Sequence, residues 1–303
     1  METIKLSVII CTYNRDKYIY NVLRSIAEND FPKNRYEIVL VNNNCTDQTE
    51  AECSRFMQDF SDVDLKIFTE SNQGLSYARN RGISEAKGDV LVYVDDDAVV
   101  NSEYLKTYVE FFETHPKIDA AGGMIVPRYE TNEPDWFSKY TRQLITAKLD
   151  LGRKERRFPK RKFPAGGNAA YRKTVFDRVG FFNVELGRKG TGLIGAEEKD
   201  LFDKMTDIGI QFFYLPNAIL YHIIPEAKLT KDYFERWTYA IGKSEYLRTR
   251  SSRKKYLKRI FWEIVKWGGT VVLWIWFLMC LQPKKGNKLV RFRYNVTRGL
   301  LGR

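Results

Sequence analysis

A short apolar run that ends in three carboxylates most constrains the fold of this chain. Residues 90–94 (VLVYV) are mostly β-branched or aromatic, a composition typical of a buried strand. Aspartates follow at positions 95–97, and three like charges there repel one another unless a cation lies between them. A Mg²⁺ or Mn²⁺ ion that carries phosphate oxygens fits such a cluster, because these ions prefer oxygen ligands. The alternative is an acidic turn before the next helix, with Asn101 or Ser102 as N-cap.

Earlier segments repeat this pattern of an apolar run followed by polar residues. Residues 4–10 and 36–41 each predict a buried strand, and residues 64–68 predict a weaker one. Helical patterns separate these runs, and the last of them, over residues 74–86, leads into the acidic strand. Alternating strands and helices predict an α/β fold with an open, mainly parallel sheet and right-handed crossovers.

Polar side chains stand at the predicted carboxyl ends of the first two strands as well. Thr12, Tyr13 and Arg15 follow the first strand, and Asn42 and Asn43 follow the second. Because open parallel sheets bind their ligands at the carboxyl ends of the strands, we expect these residues and the aspartates to share one site.

Basic residues near this edge are candidates for binding phosphate. Arg79 lies on the segment that leads into the acidic strand, and arginine suits bidentate contacts with phosphate or carboxylate. Arg79 alone would be an ordinary surface cation, but beside three aspartates we interpret it as a partner of a diphosphate or of the carboxylates. Residues 153–162 (RKERRFPKRK) predict a solvated loop, with a mobile lid as the alternative.

The second half of the chain offers candidates for a general base. The flexible stretch 187–195 delivers Glu197, Glu198 and Asp200 to the start of a helix. Acidic residues in a first helical turn are favoured by the helix dipole, so capping is the alternative to a catalytic role.

A histidine follows two predicted short strands, at residues 211–214 and 218–221, which are joined by a Leu-Pro-Asn turn. His222 is one of only two histidines in the chain, and a lone histidine is more often structural than a ligand.

Bulk properties narrow the class of protein. The chain has 303 residues with 44% apolar content, enough for one large domain with an appendage. Its formal charge of +12 indicates a polyanionic partner, such as a membrane surface, nucleic acid or phosphorylated substrate. The four cysteines are far apart and predict reduced thiols of a cytosolic protein. The first residues show no signal-peptide pattern, so we expect the catalytic part to face the cytosol.

The C-terminal part has a different character. Residues 228–259 show helical spacing with a dense basic end, and residues 267–281 carry no charge. This apolar segment is shorter than the ~20 residues of a normal membrane-spanning helix, and basic residues flank it on both sides. We therefore expect an interfacial or re-entrant helix on an anionic membrane surface rather than a full crossing. The alternative is a buried core helix.

Five segments in a fixed order resemble the family 2 glycosyltransferases, which are inverting nucleotide-sugar transferases with the GT-A fold. The segments are 6–15, 72–83, 95–97, 166–168 and 195–201. The resemblance covers about residues 5–225. It implies a Rossmann-like GT-A domain over residues 1–225, with a mainly parallel central sheet flanked by helices, and a helical membrane-associating extension over residues 226–303.

The resemblance also implies roles for individual residues. Glu198 would be the catalytic base, and Asp97 and His222 would hold Mn²⁺ or Mg²⁺. The acceptor side would include Gly167, Asn168, Glu197 and Asp200. The nucleotide sugar would contact Thr12, Tyr13, Arg15, Asn42, Asn43, Arg79, Asp95 and Asp96.

Two positions depart from the family pattern. The family usually has Asp where this chain has Asn42, at a position that contacts the nucleobase. The Asn42 side chain still offers one acceptor oxygen, so UDP remains the favoured nucleotide. The base position carries Glu198 rather than the commoner Asp, and Glu197 next to it is a second candidate.

The resemblance implies transfer of a sugar to a hydroxyl of a glycan or of a lipid-diphosphate-linked acceptor, at the cytoplasmic face of the inner membrane, in surface polysaccharide synthesis. A nucleotidyltransferase would need a Gly-rich basic loop after the first strand, and Cys11 to Asn14 do not form one. A non-catalytic scaffold for polyanions or membrane surfaces is the other alternative. Nucleic-acid binding is disfavoured, because the basic residues cluster around an apolar segment.

Overall fold

The computed structural model describes residues 5–160 and 162–302. These form two compact units. The first unit comprises the chain up to Arg128, Lys148–Val184 and Glu198–Ile223. The second comprises Tyr129–Ala147, Glu185–Glu197 and the chain from Ile224 onward. Ile4, at the start of the first predicted strand, and Arg161, in the basic run, lie outside the described residues.

Nine strands in the described residues form one sheet. They are β1 (Leu6–Thr12), β2 (Tyr36–Asn42), β3 (Leu65–Thr69), β4 (Val90–Val94), β5 (Ala98–Val100), β6 (Ala120–Tyr129), β7 (Arg156–Arg157), β8 (Asn168–Arg172) and β9 (Phe212–Ile224). The α-helices are α1 (Asp16–Ala27), α2 (Thr49–Asp59), α3 (Leu75–Glu85), α4 (Tyr104–Thr114), α5 (Lys139–Thr146), α6 (Val175–Val179), α7 (Glu197–Asp207), α8 (Lys231–Thr249), α9 (Arg253–Met279) and α10 (Pro283–Leu300).

The sheet has the order β3-β2-β1-β4-β8-β6-β9-β5, and β7 pairs with β9. Its first four strands are parallel, as the alternating pattern predicts. β1, β2 and β4 are apolar on both faces because helices cover both sides of a parallel sheet. β8 then pairs antiparallel with β4 and with β6, and β5 pairs antiparallel with β9, so the whole sheet is mixed.

Antiparallel pairing in the second half of the sheet explains how distant residues reach the acidic strand end. Val94 pairs with Asn168, which carries the two preceding glycines to the end of β4. Ala98 pairs with His222, which brings the histidine beside Asp97. The first unit buries one apolar cluster on each side of the sheet, built around Phe56 and Tyr104 on one side and Tyr171 and Phe202 on the other.

Three local predictions differ from the structure. Residues 211–214 and 218–221 were predicted as two strands, but β9 runs unbroken through Pro216, which a strand tolerates where its missing N–H is not needed for pairing. Residues 153–162 were predicted as a solvated loop, but Arg156–Arg157 form β7, which pairs with β9, and Phe158 is buried. The acidic triplet does not precede a helix capped by Asn101 or Ser102. Instead β5 follows it, and α4 has Glu103 as N-cap.

The second unit is helical and contains α5, α8, α9 and α10. Its apolar cluster includes Trp136, Phe137 and Phe234. The helical pattern predicted over residues 228–259 is interrupted at residues 250–252, where Ser252 caps α9 by accepting a hydrogen bond from the Lys255 amide. Residues 267–279 of the apolar segment therefore belong to a 27-residue helix that also includes the basic residues before them.

Candidate active site

Asparagine side chains link the loops that follow β1 and β2. Asn14 and Asn44 have left-handed backbone conformations, with φ of 53° and 64°, which asparagine adopts more readily than most residues. The Asn14 side-chain oxygen accepts a hydrogen bond from the Thr46 amide at 2.8 Å. The two loops that flank the predicted nucleotide site are thus held together before any ligand binds.

The two asparagines predicted to contact the nucleotide are both buried and use their side chains within the protein. Asn42 donates to Glu50 Oε1 at 2.7 Å and accepts from the Cys45 amide at 2.8 Å. Asn43 accepts from the Gly74 amide at 2.7 Å and donates to two backbone carbonyls of the loop before α3, at 2.8 Å each. Both side chains shape these loops, and nucleotide contact by either stays a prediction.

The acidic strand end is bordered by Arg15 on one side and His222 on the other. Arg15 Nε lies 3.3 Å from Asp96 Oδ1, and its Nη2 lies 4.0 Å from Asp97 Oδ2. The Tyr13 amide donates to Asp96 Oδ2 at 3.4 Å. His222 Nε2 lies 3.4 Å from Asp97 Oδ1. The residues predicted after β1 and β4 are therefore brought together with the distant histidine.

Burial and mutual repulsion raise the free energy of ionising the three aspartates. Burial, followed by repulsion from Asp97, raises the pKa of Asp95. Burial raises the pKa of Asp96 to about 6, although Arg15 opposes the shift. The buried Thr12 hydroxyl lies close enough to Asp96 to lower its pKa, yet it has no hydrogen-bond partner of good geometry. A cation at this strand end would offset these costs.

The side chains at the acidic strand end suit a divalent ion whose coordination is completed by the substrate. No group of three or more His, Cys, Asp or Glu side chains in the described part of the chain could hold a metal ion. Asp97 and His222 nevertheless supply a carboxylate and an imidazole side by side. Mg²⁺ sites commonly use one or two carboxylates plus substrate phosphates. The residues therefore fit an ion that needs phosphate oxygens to complete its coordination.

Glu198 is held in place on both of its oxygens. Arg79 donates to Oε1 at 2.8 Å, and the Gly166 amide donates to Oε2 at 3.0 Å. Arg79 is buried, and its guanidinium lies 5.8 Å from the Tyr93 ring centroid and 5.3 Å from that of Phe182. Arg79 forms an ion pair with Glu198, and its charge also acts to lower the pKa of Asp95, so contact of Arg79 with the diphosphate or the aspartates stays a prediction. Arg79 is a positioning residue for the Glu198 carboxylate.

Two adjacent glycines allow the two carboxylates to approach the same point of the backbone. A Cβ atom at Gly166 would collide with the Glu198 carboxylate, and one at Gly167 would collide with that of Asp95. The contact of Gly166 with Glu198 was not assigned from the family motif. The sequence feature that indicates a close backbone approach here is the Gly-Gly pair before a strand of small residues.

The remaining acceptor-side predictions lie in different environments. Asn168 is fully buried and accepts hydrogen bonds from the hydroxyls of Tyr104 at 2.9 Å and Tyr108 at 2.7 Å, so its side chain supports the sheet. Asp200 pairs with Lys204 on α7 at 3.2 Å. Glu197 belongs to the second unit and is buried, whereas the Glu198 side chain is about one-third exposed. Of the two glutamates, Glu198 is the one held by Arg79 and Gly166.

Comparison with known sequences gives consistent results. Residues 7–180 match the profile of the family described as Glycosyl transferase family 2. The glucosyl-dolichyl phosphate glucuronosyltransferase of Haloferax volcanii is 27% identical over 269 residues, which is 84% of this chain and 82% of that protein. The dolichyl N-acetyl-alpha-D-glucosaminyl phosphate 3-beta-D-2,3-diacetamido-2,3-dideoxy-beta-D-glucuronosyltransferase of Methanococcus voltae is 31% identical over 260 residues, which is 84% of this chain and 70% of that protein.

A solved structure with the same fold is the mannosyltransferase PcManGT of Pyrobaculum calidifontis, in complex with GDP-Man and Mn²⁺. It aligns with a TM-score of 0.64 and 16% identity, covering 100% of this chain and 89% of that one. The mixed sheet flanked by helices is thus the GT-A fold that the motifs implied. The profile match spans more than half of the chain and includes the acidic strand end and the two glycines. The chain belongs to glycosyl transferase family 2, and it is a glycosyltransferase.

Proposed function

We propose that this glycosyltransferase moves a sugar, with inversion of the anomeric centre, from a nucleoside-diphosphate sugar to a hydroxyl of a glycan or lipid-diphosphate-linked acceptor. The observation that carries the proposal is the placement of Glu198. Its carboxylate is fixed by Arg79 and by the Gly166 amide, one residue from the glycine that packs against Asp95. A fixed carboxylate beside an acidic strand end has the arrangement of a general base next to a metal-dependent donor site.

Glu198 would act by removing the proton of the acceptor hydroxyl as that oxygen attacks the anomeric carbon. Arg79 would hold the Glu198 carboxylate in position to accept this proton, because the buried guanidinium has little freedom to move. A single displacement from the face opposite the leaving group inverts the configuration, and no covalent intermediate on the protein is required. The leaving group departs as a nucleoside diphosphate.

Asp97 and His222 would hold the Mn²⁺ or Mg²⁺ ion, with phosphate oxygens completing the coordination. When bound, the ion supplies positive charge that stabilises the departing diphosphate. Arg15 would add charge at the same edge, since it already lies beside Asp96 and Asp97. The Mn²⁺ ion and nucleotide sugar bound by the structural neighbour support this assignment.

The names of the relatives support a lipid-linked acceptor, since both name dolichyl phosphates that carry a sugar. We propose UDP as the nucleotide, bound by the loops that carry Thr12, Tyr13, Asn42 and Asn43. We further propose that residues 1–225 carry out the transfer. Residues 226–303 would associate with an anionic membrane at the cytoplasmic face, in surface polysaccharide synthesis.

The proposal is tested with purified protein, a panel of UDP-, GDP-, CDP- and dTDP-sugars, and a short-chain polyprenyl diphosphate glycan as acceptor. We expect release of one nucleoside diphosphate that requires both Mn²⁺ or Mg²⁺ and the acceptor. NMR of the product should show the anomeric configuration opposite to that of the donor. Retention of configuration, or turnover unaffected by EDTA, would refute the mechanism.

A further inference from the structure

The helix α9 has an apolar face that the protein leaves exposed. Side chains at spacings of three and four residues point outward, which places them on one side of the helix. Their exposed fractions reach 66% at Ile264 and Val272, 58% at Trp276 and 73% at Met279. The outward side chains are Leu257, Phe261, Ile264, Val265, Val272, Ile275, Trp276 and Met279.

The opposite face of α9 is polar and points into the second unit. Glu263 is 3% exposed and accepts hydrogen bonds from Arg259 at 2.8 Å and from Arg293 of α10 at 3.0 Å. The indole N–H of Trp267 donates to Thr297 at 2.9 Å. Around Glu263 the polarity of α9 is therefore reversed relative to a helix of a water-soluble bundle, because this buried charge faces the protein and the apolar side chains face outward.

Contacts with α10 extend along almost the whole length of α9. Near one end the Tyr256 hydroxyl donates to the Leu300 carbonyl at 3.2 Å, and near the other Trp274 Nε1 donates to Asn287 Oδ1 at 2.9 Å. α10 carries cations and no acidic residue: Lys284, Lys285, Lys288, Arg291, Arg293 and Arg298. By length and composition α9 could cross a membrane. A crossing would take these cations into the hydrocarbon or break the contacts between the two helices.

We propose that α9 lies parallel to the membrane within one leaflet of an anionic bilayer, with its outward face in the acyl region and α10 on the protein side. The inference rests on the proposed function only for the choice of a membrane that carries a lipid-linked acceptor. It goes further by assigning a face, a depth and an orientation to the membrane contact.

Charge around the apolar face complements lipid phosphates. Arg253, Lys254, Lys255 and Lys258 are exposed at the start of α9. Near its other end a groove of about 290 Å³ is lined by Trp276, Leu273 and Phe277 together with Lys139, Lys285 and other side chains. Lysines beside tryptophan at the edge of an apolar face suit the headgroup layer, where ammonium groups meet phosphate and the indole bridges water and acyl chains.

The first experiment measures binding of the full chain to vesicles of phosphatidylcholine with or without phosphatidylglycerol, in the absence of donor and acceptor. We expect at least about tenfold tighter binding to the anionic vesicles. The double variant Ile264→Lys/Val272→Lys should lose this binding. Ile208→Lys, the same change at a 46% exposed isoleucine of the first unit, is the matched control and should bind like wild type.

A second measurement separates the one-leaflet orientation from a crossing. Ile264→Cys and Ile275→Cys, each in a Cys45→Ser/Cys280→Ser background, are labelled with a fluorophore and quenched by lipids that carry nitroxides at known depths. The native Cys11 and Cys53 should react slowly, because burial raises the pKa of each thiol to about 12. The two labelled positions lie about 16 Å apart along the helix axis. A helix in one leaflet gives similar depths, whereas a crossing helix gives depths that differ by most of that distance.

Each outcome decides the proposal without reference to catalysis. Similar shallow depths at both positions support it, even if no sugar transfer is ever detected. Depths that differ by more than about 10 Å would overturn it in favour of a crossing. Failure of wild type to bind either vesicle, with a dimer in solution that the double lysine variant dissociates, would overturn it in favour of a second copy of this chain.

Discussion

At the scale of single side chains, the Glu198 carboxylate is the group that the chemistry depends on most. We expect Glu198→Gln to lower kcat by about 10²–10⁴-fold, the usual contribution of a general base, and to leave binding of the nucleotide sugar within a factor of about three. Asp207→Asn, at an exposed position of the same helix, is the control. Steady-state kinetics measure both. A fully active Glu198→Gln together with an inactive Glu197→Gln would assign the base to the neighbouring glutamate.

Gly167 tests the close approach of Asp95 to the backbone. We expect Gly167→Ala to weaken binding of the nucleoside diphosphate at least tenfold, because the new methyl group displaces the Asp95 carboxylate. Gly268→Ala, at a helical position with open space around the Cα, should leave binding unchanged and raise helix stability slightly. Calorimetry of nucleotide binding makes the comparison. Normal binding by Gly167→Ala would show that Asp95 can move away without loss.

Some side-chain roles could be predicted from the sequence and others could not. The positions of the aspartates and of Glu198 follow from the strand end and the helix start, which are local patterns. The pairing of Arg79 with Glu198 joins residues 119 positions apart, and it depends on how α3 and α7 meet the sheet. The hydrogen bonds that Asn42 and Asn43 make within the protein were likewise not predictable, because the same amide can bind a ligand or hold a loop.

At the scale of elements, Glu37 anchors the start of the parallel sheet. It lies on β2 and accepts hydrogen bonds from the Ser7 hydroxyl at 2.6 Å, the Lys66 ammonium at 2.7 Å and the Lys87 amide at 2.6 Å. Burial alone would raise the pKa of Glu37, but these hydrogen bonds outweigh it and the pKa lies below the ordinary value of 4.5. The folded protein therefore binds this proton less readily than the unfolded chain does.

This shift has a defined effect on stability. The stabilisation by Glu37 is complete at neutral pH, and it is lost as the pH falls below about 4.5 and through the folded-state pKa. We expect Glu37→Gln to reduce the free energy of unfolding by about 1–3 kcal/mol at pH 7 and to flatten the acid limb of the stability profile. Asp64→Asn is the control, because this exposed residue contacts the same lysine at 3.0 Å. Urea unfolding between pH 3 and 7 gives the profile, and equal effects of the two substitutions would contradict the account.

The elements themselves were largely predictable. Three of the four parallel strands have strong apolar runs, and the alternation of strands with helices predicts their parallel pairing. The sequence predicts two strands in place of β9, because Pro216 suggests a turn when the pairing of the strand is unknown. β8 is rich in alanine and has no strong local strand signal, so only its pairing with β4 and β6 defines it.

At the scale of the whole molecule, buried charge in the second unit fixes how α9 and α10 pack. We expect Glu263→Leu to destabilise this unit by about 3–5 kcal/mol, because Arg293 then stays buried without its carboxylate partner. Arg293→Met should cost less, because Glu263 keeps its ion pair with Arg259. The double variant should cost much less than the sum. The exposed pair Arg24 and Glu28 should show a coupling of at most about 0.5 kcal/mol. Additive effects in the buried pair would show that the two charges act independently.

In the proposed mechanism the acidic strand end binds a nucleoside diphosphate through a divalent ion. Calorimetry of UDP, GDP, CDP and dTDP, each with and without Mn²⁺, tests it on wild type and on Asp97→Asn. We expect Mn²⁺ to tighten the binding of one nucleotide at least tenfold in wild type. Asp97→Asn should lose that gain, and Glu198→Gln should keep it. Equal Mn²⁺ dependence in wild type and Asp97→Asn, or no binding of any nucleotide by folded protein, would show that the acidic strand end is not a metal-dependent nucleotide site.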